Sequence, residues 1–187
     1  MRIELLMEKN IRKIQIVCLM FLLSSFTVLA QSGKPYTDAI NTFKKAEESE
    51  GKVSRDTTIN RYKISAKQLL KADTAVRIAE KFVLQDLAYA SLLKIAQHMD
   101  TLNRIAQIQS VMEPYMSKLY QKDQNIATNA TYPWNNKNYT VSSIEFREKR
   151  ADLFQYITRS AYLQKDWQDV LYYGMLTDTF QEDPTVK

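Results

Sequence analysis

Ala79-Glu80-Lys81-Phe82-Val83-Leu84-Gln85-Asp86-Leu87-Ala88-Tyr89-Ala90-Ser91-Leu92-Leu93-Lys94-Ile95-Ala96-Gln97 is the stretch that decides the fold. Ala79, Phe82, Val83, Leu87, Ala90, Leu93 and Ala96 recur at intervals of three and four, the period of a helix that buries one face. Asp73-Thr74 opens this helix, and the pattern predicts its end near Gln97. Two acids are embedded in it, Glu80 and Asp86, and both are expected on its polar face.

The same period extends in both directions. Upstream, Tyr36, Ala39, Ile40, Phe43 and Ala46 form a stripe, with Pro35 suited to a first helical turn and Gly51 to a stop. Ile59, Tyr62, Ala66, Leu69 and Leu70 form a second stripe after the cap candidates Asp56-Thr57-Thr58. Downstream, Asp100-Thr101 is expected to cap a fourth helix carrying Leu102, Ile105, Ile108, Val111 and Met112. Pro114 kinks or ends that helix, because proline lacks the N–H and clashes with the preceding turn. Tyr115, Met116 and Leu119 then add a turn or two.

Residues 123–141 break the pattern and read as one long loop, rich in Asn and Thr and holding Pro133. Helix resumes at Ser142, with Glu145 placed as in a capping box. Its stripe is Phe146, Leu153, Phe154, Ile157 and Ala161, thin at the start because Arg147 to Arg150 are all charged. A turn at Lys165-Asp166 leads to a sixth helix with a stripe of Trp167, Val170, Leu171, Gly174 and Phe180. The reading is all-α: about six antiparallel helices in hairpins, stacked as a bundle or short array.

Composition narrows the chemistry. The chain has 187 residues, 26 Lys+Arg against 21 Asp+Glu, one His, one Cys and three Gly. One His and one Cys cannot build a His/Cys zinc site, and three scattered Gly cannot form a phosphate-cradling loop. No metal or cofactor is expected. The basic residues are spread along the chain rather than clustered, so no nucleic-acid partner is expected.

Residues 1–30 read as a secretory signal. Lys9, Arg12 and Lys13 supply the positive region, Ile14 to Leu29 the apolar run, and Val28-Leu29-Ala30 the cleavage site. The alternative is an uncleaved signal holding the chain to a membrane, but the run is shorter than the roughly 20 residues that span a bilayer. The expectation is a single helical domain at 31–187, periplasmic, cell-surface or secreted after cleavage near Ala30. Cys18 leaves with the signal, so this domain has no disulfide to rely on.

Ala161-Tyr162, Asp166-Trp167-Gln168-Asp169-Val170-Leu171-Tyr172-Tyr173 and Glu182-Asp183-Pro184 together resemble the second half of a tetratricopeptide repeat. Tyr36-Thr37-Asp38-Ala39-Ile40 with Phe43 and Ala46 is similar to that repeat's second helix. Pro114 and Pro184 lie about two repeat lengths apart. The chain departs from the pattern at Thr158, where the repeat carries Gly or Ala, and at Gly174 and Thr177, where it carries an aromatic and Ala. The resemblance implies stacked helical hairpins that present a surface to a peptide or protein. The triplets Asp56-Thr57-Thr58, Asp73-Thr74-Ala75 and Asp100-Thr101-Leu102 serve as helix caps. They also resemble the O-glycosylation sequon of exported Bacteroidetes proteins.

Catalytic candidates are sparse. His98 falls at a helix C-terminus, where the dipole favours it. Glu47-Glu48 and Glu182-Asp183 read as solvated helix-end acids. No G-x-S-x-G elbow is present, and acid-catalysed hydrolysis would require one carboxyl raised in an apolar pocket. The sequence points to a non-catalytic protein. Its sharpest feature is Tyr132-Pro133-Trp134-Asn135-Asn136-Lys137-Asn138-Tyr139, in which Tyr132, Trp134, Asn135 and Tyr139 are the candidate ligand-binding residues. Rings beside amides suit a peptide or a sugar face. The leading expectation is an exported helical scaffold for a protein or peptide partner in the cell envelope. The alternative is a glycan-binding accessory protein using the 132–139 loop, and an acidic hydrolase ranks last.

Overall fold

The computed structural model describes residues 34–72, 78–119, 129–134 and 137–181. The expected signal at 1–30 lies outside the described residues. The chain divides into two compact units, Met1–Pro35 and Tyr36–Lys187. Of the first, only residues 34 and 35 are described, and both are helical. The account below concerns the second.

The fold is an all-α bundle. Six helices are described: α1 (34–47), α2 (Arg55–Ala72), α3 (Ile78–Thr101), α4 (Ile108–Met116), α5 (Ser143–Gln164) and α6 (Trp167–Gln181). α2 packs on α3 and α5 on α6, and α5 also lies against α3 and α4. α1 joins through Ala39, Ile40, Phe43 and Ala46, with the Phe43 ring 6.0 Å from that of Tyr62 on α2.

α3 is the centre. Phe82 to Tyr89 are eight consecutive buried residues, so this stretch is covered on every side. A helix apolar all round belongs in such a position. The consequence falls on Asp86, which is fully buried instead of lying on a polar face. Lys149 of α5 donates to both its carboxylate oxygens at 2.8 and 2.9 Å. The charged start of α5 therefore turns inward. Arg150 is also buried, its guanidinium 5.6 Å from the centre of the Phe146 ring.

Several boundaries differ from the expectation. α3 runs through Thr101, whose hydroxyl donates back to the Gln97 carbonyl at 2.8 Å instead of capping a new helix. The chain then turns through Asn103 at φ 56 and a 3-10 turn at Ile105–Gln107 before α4 begins. Pro114 lies inside α4, which ends two residues later at Met116. α2 is capped by Ser54, whose Oγ accepts from the Thr57 N–H at 3.3 Å, while Asp56 pairs with Arg104. At α5 the N-cap is Ser142 as expected: its hydroxyl accepts from the Glu145 N–H at 3.1 Å.

The stretch 123–141, read as a long loop, contains a two-stranded antiparallel ribbon of β1 (Asn129–Trp134) and β2 (Lys137–Ser142). Pro133, read as part of that loop, lies within β1. In a two-stranded ribbon both strands are edges, where a missing N–H is tolerated. The connection is two residues long, the commonest hairpin length. β1 runs against α3, and β2 leads directly into α5.

Candidate interaction surface

α5 and α6 are joined by one tight turn. Lys165 adopts the left-handed conformation (φ 60, ψ 26), and its N–H reaches the Ala161 and Tyr162 carbonyls. The Asp166 N–H returns to the Ala161 carbonyl at 3.0 Å, the 6→1 closure of a Schellman motif. The Asp166 side chain then accepts from the Asp169 N–H at 3.3 Å and starts α6. Gln109 of α4 braces this corner. Its side chain donates to Asp166 at 3.1 Å and to Asp169, and its backbone N–H donates to the Ser160 hydroxyl at 3.0 Å.

Held this way, α6 presents a stripe different from the expected one. Val170, Tyr173, Gly174 and Thr177 face the bundle, at helical intervals of three and four. The Tyr173 ring lies 5.7 Å from that of Phe154, and burial with help from Asp169 pushes its hydroxyl up to about 12. A Cβ added at Gly174 would meet the Thr158 methyl at 4.0 Å. The larger residue sits on α5 and the glycine on α6, so the departures from the repeat pattern at these two positions are complementary. A groove of about 480 Å³ runs beside this contact, lined by Thr158, Arg159, Tyr162 and Val170 among others.

Trp167 and Leu171, expected in the core stripe, point outward instead. With Met175 they are 56%, 67% and 70% exposed. Four residues apart, the three form one row on the outer side of α6. Tyr162 stands edge-on to Trp167 with ring centres 5.6 Å apart, and Leu163 and Tyr172 are also exposed. Six large apolar side chains thus cluster around one hairpin. The sequence carries α6 apolar residues on both sides, Trp167/Leu171/Met175 and Val170/Tyr173/Gly174. Two overlapping stripes were the signal for an outer apolar face.

The aromatic segment is placed by its backbone. Tyr132 pairs with Tyr139 and Trp134 with Lys137 across the ribbon, so these four positions share one side of it. Asn135 lies outside the described residues.

Two polar clusters belong to the scaffold. Glu50 accepts from the Tyr62 hydroxyl at 2.9 Å, from Lys94 at 3.3 Å, and lies 3.4 Å from His98 Nε2. Burial opposes the Glu50 charge, but Tyr62, Lys94 and His98 outweigh it and hold its carboxyl below the ordinary range. Burial raises the Asp86 carboxyl, and Lys149 pulls it back only in part. Asp86 is sealed inside the bundle, so it offers no surface to a substrate. His98 is engaged by Glu50 and stacks on Tyr62 at 6.4 Å. Among the described residues, no group of three or more His, Cys, Asp or Glu could hold a metal ion. None of their helices is long and apolar enough to cross a membrane. Comparison with protein-family models, curated proteins and solved structures finds no match to the chain.

Proposed function

We propose that the chain is an exported, non-catalytic helical interaction protein that binds a protein or peptide partner in the cell envelope through the outer face of α6. The observation that carries this reading is the row of Trp167, Leu171 and Met175, extended by Tyr162, Leu163 and Tyr172. Contiguous apolar patches on soluble domains mark interaction sites, and Trp, Tyr and Met are the residue types enriched at the centres of interfaces. Arrays of tetratricopeptide type stack hairpin on hairpin, so an uncovered α5–α6 face is where a further helical element would dock.

Leu171→Glu tests the reading. Leu171 is exposed, so the folded state keeps its stability to within about 0.5 kcal/mol. In affinity capture from an envelope extract, a partner retained by the native chain is lost by this variant. A partner retained equally by both contradicts the assignment to α6.

A second reading, glycan binding on the ribbon, is supported by the register that puts positions 132, 134 and 139 on one side. It predicts that Trp134→Ala leaves the helical circular dichroism intact and abolishes retention on a polysaccharide column.

A further inference from the structure

A second concave surface lies on the opposite partner pair, α1 and α2. The last turns of α1, the turn through Gly51 and the middle of α2 enclose a groove of about 670 Å³. Gly51, at φ 72, lets the chain reverse there. Val53 and Ile64 give the groove an apolar floor, and Ile64 is 56% exposed although its helix neighbours Ser65 and Ala66 are buried. Three cations rim it, Lys45, Lys52 and Arg61, against one carboxylate, Glu48. Among the described residues, none of the three cations has an ion-pair partner, whereas nearby Lys94 is engaged by Glu50 and Arg104 by Asp56.

We propose that this groove binds an acidic peptide segment carrying an apolar anchor. The apolar side chain covers Val53 and Ile64, and flanking carboxylates meet Lys45, Lys52 and Arg61. Arg61 offers a planar fork suited to a carboxylate, and the two lysines act as point charges beside it. Lys45, Glu48, Lys52 and Arg61 are all exposed, and the groove between them opens to solvent. That shape suits an extended chain better than an enclosed small molecule. Three cations are also too few to follow a nucleic-acid backbone, whose affinity rests on many phosphate contacts. The site is separate from the α6 face and stands whether or not that face binds a partner.

The test is fluorescence anisotropy of a labelled Glu-Leu-Glu-Glu-Leu-Glu hexapeptide titrated with the full chain. Its Gln-Leu-Gln-Gln-Leu-Gln analogue and a short oligothymidylate serve as competing probes. The expected result is saturable binding of the acidic peptide that weakens by about tenfold or more with Arg61→Glu and with Lys45→Glu. Ile64→Ser weakens it as well, and added salt weakens it progressively. All three changed residues are exposed, and circular dichroism reports that the variants stay helical. Absence of saturable binding overturns the proposal. So does equal binding of the glutamine analogue, loss of affinity with neither charge variant, or tighter binding of the oligothymidylate than of the peptide.

Discussion

Lys149 and Asp86 are not equivalent partners. Asp86 has no route to water, whereas the Lys149 side chain keeps 21% exposure and can swing outward. Removing the lysine strands a buried carboxylate, so Lys149→Met should cost about 3 kcal/mol at neutral pH. Asp86→Asn should cost less, about 1 kcal/mol, because the freed ammonium regains solvent. The pH dependence separates them further. A carboxyl raised in the folded state favours folding below its unfolded range and loses that contribution as pH rises through the folded value. Lys149→Met removes the cation that holds Asp86 down, so its deficit against the native chain should shrink as pH falls. Denaturant melts of both variants across acidic and neutral pH would show this. Glu50 has the opposite sign. Its carboxyl is depressed, so its contribution is present above the unfolded carboxylate range and disappears as pH falls through the folded value. Glu50→Ala should cost about 1 kcal/mol at neutral pH, discounted because the side chain is a third exposed. That cost should vanish in acid.

At the scale of elements, the α5–α6 corner sets where α6 points, and with it which residues face out. Lys165 holds a left-handed conformation that a β-carbon disfavours. Lys165→Gly should therefore stabilise the fold by roughly 0.5–1 kcal/mol in thermal or denaturant melts, with α6 still docked. Helix existence was legible from sequence because intervals of three and four persist through Tyr36–Ala46, Ile59–Leu70 and Phe82–Ala96. The N-cap at Ser142 was legible because capping is a local signal. Helix phase was not legible in α6, where apolar residues ring the helix and only the partner decides which stripe is buried. The ribbon was hidden although Ala130, Tyr132 and Trp134 alternate with Asn129, Thr131 and Pro133, because the run is short and its proline and Asn/Thr content read as loop. Its pairing is a contact between two segments, not a property of either. Asp86 was misplaced because covering all sides of α3 is a tertiary fact. The run Phe82-Val83-Leu84 followed by Leu87-Ala88-Tyr89 was its only local hint.

At the scale of the whole molecule, the core is closed around α3, and among the described residues two surfaces stand out as uncovered. One is the apolar outer row of α6, and the other is the cation-rimmed groove of α1 and α2. Two of the groups singled out in the sequence are part of the scaffold: His98 lies against Glu50, and Asp86 is paired with Lys149. The sequence singled out the ribbon at 132–139 as the contact surface. Among the side chains whose exposure is described, the uncovered apolar area lies mainly on and beside α6. The most direct test of that assignment replaces Leu171 with photoreactive benzoylphenylalanine and, as a control, places the same residue at Glu148, exposed on α5 and part of neither surface. On irradiation in envelope extract, the account predicts a discrete covalent adduct from position 171 and none from position 148. No adduct from position 171, or the same adduct from both, would contradict it.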